Sequence, residues 1–319
     1  MIKGNRILII GGLGFLGKNL YLKAKEHSLS THLFSKDPLD KSDPFSKLVD
    51  PNDIIIGDIT KKEQLDRIIA DYDVVFSFAG ISGASESISD PVNDINTNLL
   101  GHINILEACR EHNPSIQLVF PSTRLVYGKP ENLPVSENHK VKPESIYAIH
   151  KITTEQYYQL YYKIHGIKST IYRISNPYGP YQAFGNKKYG MLNWFIFKAF
   201  KSETIEIFGT GDQLRDYLYI DDLTDLFISS IGKEKLFGKT YNIGFGQGIS
   251  ILEMVKKIHQ FVPNSKYEFK EWPKIYKMIE TGNYISNIEA IKKDLGWSPK
   301  TTFEEGMKRT IEFYRLHHE

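Results

Sequence analysis

A continuous apolar run joined to three evenly spaced glycines opens the chain, and this junction limits what the chain can fold into. The run RILII at Arg6–Ile10 ends at Gly11, and Gly14 and Gly17 follow at equal spacing before a helical pattern continues to about residue 27. A strand, a tight turn and a helix in this order form the first half of a βαβ unit.

Further apolar runs of strand length alternate with helical patterns through the first half of the chain. Strands are predicted at residues 31–34, 54–56, 74–78, 117–120 and 169–172, and helices at residues 61–71, 91–112 and 145–165. Short buried-type strands that alternate with helices are typical of a parallel sheet covered on both faces. We therefore predict an α/β fold built on a doubly wound parallel sheet.

The segment NPYGPYQAFGNKKYG, at residues 176–190, marks a change of character. The elements predicted after it are helices at residues 194–200, 252–260, 287–294 and 303–316 and short strands at residues 205–208 and 241–244. We predict a first domain at residues 1–175 and a smaller mixed domain at residues 176–319, some of whose elements return to the first sheet. A ligand is expected in the crevice between the two domains.

Composition narrows the functional classes. The 319 residues are 41% hydrophobic and 24% charged, with a net charge of +2 and scattered basic residues, so neither disorder nor nucleic-acid binding is expected. The sequence lacks both a signal-peptide pattern and an apolar run of the ~20 residues that span a bilayer, so we expect a cytoplasmic protein without a membrane partner. Cys109 is the one cysteine and reads as a buried apolar residue.

The glycine run and a downstream aspartate suggest a phosphate-containing ligand. Glycines at 11, 14 and 17 let backbone approach a pyrophosphate, whose charge the N-terminus of the following helix would meet. Asp58, in IIIGDIT at a strand end, either accepts a hydrogen bond from an adenine amine or caps the next element.

Tyr147 and Lys151 form a second chemical feature. Both lie in the predicted helix after Ser145, and their spacing of four residues places them on one face. A lysine cation beside a tyrosine favours the phenolate and lowers a pKa that is ordinarily near ~10, which would make a proton-transfer group. Ordinary helices also carry such pairs as a packed tyrosine and a solvated lysine.

Taken in order, the motifs resemble those of the extended short-chain dehydrogenase/reductases, in particular the NAD-dependent epimerase/dehydratase group that acts on nucleotide sugars. The resemblance rests on the three glycines, GDIT, VVFSFAG, NLLGHINILEA, STRLVYG, YAIHK, RISNPYGP, GTGDQLRDYLYIDD, YNIG and LGWSPKTTFEEG. It implies a Rossmann-type first domain that binds NAD or NADP and a second domain that binds the nucleotide sugar.

The resemblance also implies roles for individual residues. Thr123, four positions before Tyr127, would hydrogen-bond the reacting oxygen of the substrate, Tyr147 would exchange its proton, and Lys151 would bind the nicotinamide ribose and lower the tyrosine pKa. The expected cofactor-binding residues are Gly11, Gly14, Phe15, Leu16, Gly17, Ser35, Lys36, Asp58, Ile59, Phe78, Ala79, Gly80, Asn98, Tyr147 and Lys151.

Substrate residues follow in the same way. Asn176 and Arg215 match the family's diphosphate-binding asparagine and arginine, since a guanidinium fork suits phosphate oxygens. Asn193 and Phe208 fall where the nucleotide is commonly held, although a helix polar face and a core aromatic would explain them equally. Asp216 is expected to orient Arg215, and Asp221 and Asp222 to start a helix at Leu223.

Departures from the family pattern bear on the cofactor. The acidic residue that usually holds the adenosine ribose is replaced by Ser35 followed by Lys36, which would accommodate the 2′-phosphate of NADP, while Asp37 is near enough to serve NAD. Ser77 takes the place of a usual histidine and is expected to affect packing only.

Other departures bear on the reaction and the substrate. Arg124 and Leu125 stand where dehydratases of the group carry an Asp-Glu pair, so 4,6-dehydration is disfavoured. A further diphosphate-binding arginine is not evident near the C-terminus, where Lys274 and Lys277 are the nearest cations.

These residues favour an NAD(P)-dependent nucleotide-sugar epimerase that resembles UDP-hexose 4-epimerases and works through a transient keto sugar. The alternative is an NADPH-dependent reductase of 4-keto-6-deoxy nucleotide sugars, and an idle dinucleotide sensor is disfavoured by the full set of Thr123, Tyr147 and Lys151. The resemblance further implies a homodimer packed through residues 91–112 and 145–165 and a role in supplying sugars for polysaccharides.

Overall fold

The computed structural model describes residues 6–183 and 190–318, so part of the segment at 176–190 lies outside the described residues. The strands are, in chain order, β1 (Arg6–Ile10), β2 (Ser30–Ser35), β3 (Ile54–Ile56), β4 (Val74–Ser77), β5 (Gln117–Thr123), β6 (Lys168–Ile174), β7 (Asn176–Tyr178), β8 (Thr204–Phe208), β9 (Leu214–Arg215), β10 (Tyr217–Tyr219), β11 (Lys239–Ile243), β12 (Ile249–Ser250) and β13 (Lys266–Lys270). The helices are α1 (Phe15–Glu26), α2 (Lys62–Asp66), α3 (Ala84–Ser89), α4 (Pro91–Ile95), α5 (Gly101–His112), α6 (Ile146–His165), α7 (Met191–Phe200), α8 (Ile220–Ser229), α9 (Ile251–Phe261), α10 (Lys274–Ile279), α11 (Glu289–Leu295) and α12 (Phe303–His318).

Seven of the strands form one parallel sheet with the spatial order β11-β6-β5-β4-β1-β2-β3, which confirms the predicted fold class. The chain builds β1, β2 and β3 outward in one direction and then returns to place β4 on the other side of β1. The carboxyl ends of β1 and β4 therefore border the crevice at which doubly wound sheets bind ligands.

Helices cover both faces of the sheet, and the alternation of side chains along β1 decides which helices each face meets. Ile9 belongs to an apolar cluster with Leu20 of α1, whereas its neighbour Ile10 belongs to a second cluster with Leu106 of α5. Cys109 lies fully buried in the second cluster, and burial raises the pKa of its thiol. The expectation of a buried apolar cysteine is confirmed.

The part of the chain after residue 175 contributes small sheets and helices beside the carboxyl ends of the large sheet. β7 pairs with β10 and β8 with β13 in parallel, and β9 pairs with β12 antiparallel. β11 returns to the large sheet and pairs with β6, as Thr240 opposite Ile171 illustrates. In the described parts of the chain, no helix is both long enough and apolar enough to cross a membrane.

Several elements differ from the sequence prediction. The helix predicted at 91–112 is continuous but contains a π turn at Asn96–Leu100 between α4 and α5, and Asp90 caps its start by accepting from the Asn93 amide at 3.1 Å. The helix expected to start at Leu223 begins at Ile220 instead. The strands that the sequence missed include several of two or three residues, which are too short to show an alternating pattern.

Candidate active site

The turn after β1 is built so that backbone, without side chains, borders the crevice. Gly11 has a φ of +81°, and a Cβ added to it would lie 2.5 Å from the Ala79 amide nitrogen. A Cβ on Gly17 would lie 2.4 Å from the Gly12 carbonyl oxygen. α1 begins directly after Gly14, which provides no side-chain cap, so the first amide groups of the helix remain available to an anion.

A cavity of about 950 Å³ extends from this turn across the ends of β2 and β3, and we call it the glycine cavity. It brings together many of the residues predicted to bind the cofactor. Its lining includes Gly11, Gly14, Phe15, Ser35, Lys36, Asp58, Ile59, Phe78, Ala79 and Gly80. Leu16 and Gly17 line the adjoining cavity instead.

The charges in the glycine cavity are mainly acidic. Lys36 lies 3.1 Å from Asp58, whose carboxylate also accepts from the Thr60 amide and hydroxyl at 2.9 Å. Although burial opposes the effect, these hydrogen bonds lower the pKa of Asp58. Asp37 and Asp40 also line the cavity, and the described residues place no cation within 4 Å of either carboxylate.

Asn98 lies behind this cavity rather than in its lining. Its Oδ1 accepts from the Ile81 amide at 3.1 Å, and its Nδ2 donates to the Ile81 carbonyl at 2.8 Å. The side chain is fully buried and holds the loop that follows Gly80. Any influence of Asn98 on a ligand would therefore pass through this loop.

The second cavity, of about 420 Å³, is lined by Thr123, Tyr147 and Lys151, and we call it the triad cavity. Thr123 ends β5, and the other two residues project from the first turns of α6, which Ser145 caps by accepting from the Ala148 amide at 3.2 Å. The structure therefore brings these three predicted residues to one cavity.

The electrostatics of Tyr147 and Lys151 differ from the expectation. Burial lowers the pKa of Lys151 to about 8 although Asp94 and Glu155 oppose it. Burial and then the Asp94 carboxylate raise the pKa of Tyr147, where a lowering by Lys151 was expected. The ammonium donates to the Pro121 carbonyl at 3.0 Å and lies 5.9 Å from the Tyr147 ring centroid.

A buried contact between a histidine and a carboxylate beside the triad was missed from the sequence. His150 Nδ1 lies 2.5 Å from Asp94 Oδ1, and both residues are buried. The other carboxylate oxygen of Asp94 is buried without a hydrogen-bond partner. His150 directly precedes Lys151 in YAIHK, but nothing in the sequence pairs it with a residue on α4.

The far end of the triad cavity carries amide side chains. Asn176 and Asn193, the two asparagines predicted to bind the substrate, both line it. Asn193 Nδ2 donates to the Gly179 carbonyl at 3.0 Å and the Tyr314 hydroxyl at 2.8 Å, whereas its Oδ1 is buried without a partner. Gln182 Oε1 in the same lining is also buried and unpartnered, so these two amide oxygens can accept hydrogen bonds from a ligand.

Two buried arginines, Arg124 and the predicted substrate residue Arg215, lie near this end of the triad cavity, and neither lines either cavity. Arg215 Nη2 lies 2.6 Å from Glu280 Oε1, and its Nη1 donates to the Gly282 carbonyl at 2.7 Å. Arg124 Nε donates to Asn176 Oδ1 at 3.2 Å. Arg124 was considered from the sequence only as a departure from the dehydratase pattern, and its position beside Asn176 could not be inferred from its neighbours in the chain.

The aspartates near Arg215 are structural, although not in the way expected. Asp216 is fully buried and accepts from the amides of Phe245 at 2.7 Å and Ser286 at 2.8 Å, so it holds loops rather than orienting Arg215. Asp222 accepts from the Thr301 amide at 2.9 Å. Asp221 lies in the first turn of α8.

Other predicted residues lie outside both cavities. Phe208 stacks on Tyr276 with ring centroids 5.8 Å apart. Lys274 and Lys277 are exposed on α10. Ser77 is buried, and its Oγ lies 3.0 Å from Nδ1 of a buried histidine, His102.

Comparison with known proteins adds a family and relatives. A sequence model described as "NAD dependent epimerase/dehydratase family" matches residues 7–244. The chain is 31% identical over 314 residues to a "Putative UDP-glucose 4-epimerase" of Methanocaldococcus jannaschii, which covers 97% of this chain and 98% of the relative. These similarities extend over nearly the whole chain.

Solved structures give the same result. A UDP-glucose 4-epimerase of Thermotoga maritima, solved with UDP-glucose, has a TM-score of 0.90 at 27% identity and covers 98% of this chain and 100% of that chain. A Thermus thermophilus UDP-glucose 4-epimerase, solved with NAD, has a TM-score of 0.85 at 26% identity and covers 97% of this chain and 99% of that chain.

Proposed function

Because the chain belongs to the NAD-dependent epimerase/dehydratase family, we propose that it is a nucleotide-sugar epimerase that resembles UDP-hexose 4-epimerases and works through a transient keto sugar. The observation that carries the proposal is the meeting of Thr123, Tyr147 and Lys151 in one cavity that adjoins the glycine turn. The cofactor of this family is NAD. Binding it requires a site for a pyrophosphate and sites for ribose hydroxyls.

The glycine cavity fits a dinucleotide. The backbone at Gly11 and Gly17 leaves no room for a Cβ, and the uncapped start of α1 presents amide groups to a pyrophosphate. Asp37 and Asp40 suit ribose hydroxyls and repel a 2′-phosphate, while Lys36 is already paired with Asp58. We therefore propose NAD rather than NADP.

NAD held by the glycine turn and Lys151 would supply reversible hydride transfer at a sugar carbon. The protein residues manage the accompanying proton. Tyr147 takes the proton of the reacting hydroxyl and later gives it back, while the Thr123 hydroxyl holds the same oxygen. Lys151, with a pKa of about 8, supplies positive charge near neutral pH beside a phenol that burial otherwise keeps protonated.

The residues after Thr123 favour epimerisation over dehydration. Elimination of water from a hexose needs an acid and a base beside the sugar, and the next two residues are Arg124 and Leu125. Leu125 lines the triad cavity and has no group that can transfer a proton.

The second candidate function is reduction of a 4-keto-6-deoxy nucleotide sugar with NADPH. The observation in its favour is that Ser35 and Lys36 line the glycine cavity at the end of β2. This reaction consumes reduced cofactor, whereas an epimerase regenerates its cofactor in every cycle.

We also propose a homodimer in the cytoplasm that supplies sugars for polysaccharides. Apolar side chains are exposed on neighbouring helices, with Val92 at 66% on α4, Leu100 at 47% in the π turn, and Ile149 at 47% on α6. Covering such residues with a second copy would remove apolar surface from water. Light scattering coupled to size exclusion should give twice the monomer mass, and the monomer mass would contradict the dimer.

The function is tested with protein purified without added cofactor. Denaturation should release NAD at nearly one per chain, and proton NMR should show interconversion of UDP-glucose with UDP-galactose, or of another UDP-, CDP- or dTDP-hexose pair, without net NADH consumption. An empty protein that binds NADPH more tightly than NADH and consumes it stoichiometrically would favour the reductase. Retained cofactor with no turnover of any sugar would contradict both functions.

A further inference from the structure

Two guanidinium groups lie behind the part of the triad cavity that Asn176 lines, although neither lines the cavity itself, and only one carboxylate pairs with them. Arg124 and Arg215 are 7% and 6% exposed, and each contributes to the electrostatics of the same small region. Arg215 is paired with Glu280 at 2.6 Å. Over the described ranges 6–183 and 190–318, no carboxylate oxygen lies within 4 Å of the Arg124 guanidinium.

Neutral groups hold the Arg124 guanidinium in place. Its Nη1 donates to the Thr281 hydroxyl at 3.0 Å, and its central carbon lies 5.4 Å from the Tyr284 ring centroid. Burial and the nearby Arg215 lower the pKa of Arg124 to about 10, so the group remains a cation at neutral pH. A buried cation without a counter-ion is costly, and an anionic ligand that supplied the missing charge would remove this cost.

The contact with Asn176 indicates where that anion would lie. Arg124 Nε donates to Asn176 Oδ1 at 3.2 Å, so the amide oxygen faces the arginine. The Nδ2 group is then the part of the side chain that can donate into the triad cavity, which Asn176 lines. An asparagine amide can face a ligand with its oxygen or with its NH2 group. By bonding the oxygen, Arg124 fixes Asn176 with the NH2 group available to donate to a ligand oxygen.

We propose that Arg124 positions Asn176 and supplies the uncompensated positive charge that binds the diphosphate of the substrate, while Glu280 neutralises Arg215. The inference rests on the proposed nucleotide-sugar function. It assigns to Arg124 the second cation that was sought near the C-terminus, where Lys274 and Lys277 are exposed and Glu280 pairs with the first arginine.

If the role of Arg124 were purely structural, its removal would have different effects on ligand binding. In that case the guanidinium would serve only to fill space between Asn176, Thr281 and Tyr284, and removing it would change stability without selecting among ligands. A diphosphate-binding role requires that affinity depend on ligand charge and that removing the charge of Glu280 have the opposite effect from removing that of Arg124.

Direct binding separates these cases without requiring turnover. Isothermal titration calorimetry would compare UDP, CDP, GDP and dTDP with the corresponding nucleosides on the wild-type protein and on Arg124→Gln, Arg124→Lys and Glu280→Gln variants. Lys277→Gln is the matched control, because it removes a positive charge from an exposed position on α10, close in the chain to Glu280.

The expected effects have opposite signs. Arg124→Gln should weaken the tightest diphosphate by about ten- to a hundredfold and leave the nucleoside unchanged, since a charged hydrogen-bonding group is lost. Arg124→Lys should recover part of the affinity and increase its salt dependence, because charge is kept without the fork. Glu280→Gln should tighten the diphosphate by roughly fivefold, and Lys277→Gln should have no effect.

Several outcomes would overturn the inference. Equal losses for diphosphate and nucleoside in Arg124→Gln would make the residue structural, as would a weaker diphosphate in Glu280→Gln. A loss confined to a UDP-uronic acid, with UDP unaffected, would assign the charge to a sugar carboxylate instead. Wild-type protein that binds diphosphates yet epimerises no sugar would contradict the proposed function alone.

Discussion

The glycine cavity and the triad cavity form two halves of one cleft, and they are built from different parts of the polypeptide. The glycine cavity is formed mainly around the turns that follow β1, β2, β3 and β4, and most of its lining comes from residues 10–97. The far end of the triad cavity is formed by side chains such as Asn176 and Asn193, and Arg124, from a distant part of the chain, holds Asn176 from behind. Where backbone borders a ligand closely, even an added methyl group should reduce binding. Where side chains border it, binding should depend on which of them are charged.

The largest effect is expected where the two halves meet. Tyr147→Phe should lower kcat on the sugar that the wild-type protein interconverts by about a thousandfold, because the proton-transfer hydroxyl is removed. Proton NMR of the sugar would measure the rate, and calorimetry should show NAD and UDP affinities within about threefold of wild type. Tyr162→Phe, at a 40% exposed tyrosine on the same helix, should keep full activity.

Retention of more than a tenth of the activity in Tyr147→Phe would contradict the role given to the triad. A loss of NAD affinity as large as the loss in rate would instead show that Tyr147 is needed for the dinucleotide half of the cleft.

The difference between the two halves also explains what the sequence could predict. The glycine turn and the pair Tyr147 and Lys151 were predicted because their members lie within a few residues of each other on one element. Thr123 was placed only through the family resemblance. The sheet was predicted because its strands are continuous apolar runs, and even β11 was recognised as a strand although its pairing with β6 was not specified.

What the sequence could not predict depends on contacts between distant residues. The pairing of Asp94 with His150, of Arg215 with Glu280 and of Arg124 with Asn176 joins residues on separate elements, and each alternative pairing is chemically reasonable before the fold is known. The pKa of Tyr147 was expected in the wrong direction for the same reason, because burial and Asp94 decide it.

The next largest effect is expected for NAD affinity when a methyl group is added to the glycine turn. A methyl group at Gly17 would lie 2.4 Å from the Gly12 carbonyl oxygen, whereas one at Gly14 would lie 3.2 Å from the Gly11 carbonyl oxygen. Gly17→Ala should therefore weaken NAD by about a hundredfold, and Gly14→Ala by less than about tenfold, in calorimetric titrations.

Asn176→Ala provides the comparison from the other half. It removes a side chain that lines the triad cavity alone and should leave NAD affinity within about threefold of wild type. If it weakened NAD as much as Gly17→Ala does, the two halves would not act as separate binding sites. Circular dichroism of all three variants would check that the fold is retained.

A smaller effect concerns the stability cost of the triad. Lys151 is 5% exposed, and its pKa is lowered from 10.5 to about 8, so the folded protein disfavours the charged form. Lys151→Met should therefore raise the free energy of unfolding at pH 7 by about 2 kcal/mol, after allowance for the lost bond to Pro121. Activity should be lost at the same time.

The lowered pKa of Lys151 also determines how the stability gain of Lys151→Met changes with pH. The cost of Lys151 is fully present below pH 8 and disappears as pH rises towards 10.5, so the stability gain of the variant should fade over that range. Denaturant unfolding at several pH values would measure it. Lys163→Met, at an exposed position of α6, should change stability by less than about 0.5 kcal/mol, and an equal gain there would assign the effect to surface apolarity.

The smallest effect tests whether the charge of Asp94, which lies outside both cavities, influences the pKa values of the triad residues. The buried Asp94 carboxylate raises the pKa values of both Tyr147 and Lys151. Asp94→Asn should lower both, so if the phenolate is the active form, the acidic limb of the kcat/KM profile should move down by about half a pH unit. Glu63→Gln, at an exposed position of α2, should leave the limb in place.

The direction of that movement distinguishes two roles for the pair of Asp94 and His150. A downward movement means that the carboxylate acts through its charge, because an amide of equal size retains the packing. A reduced rate with an unmoved limb means that the pair only holds α4 against α6, as the 2.5 Å contact would do in either case. An upward movement would contradict the charge effect altogether and would leave burial as the sole reason that Tyr147 resists ionisation.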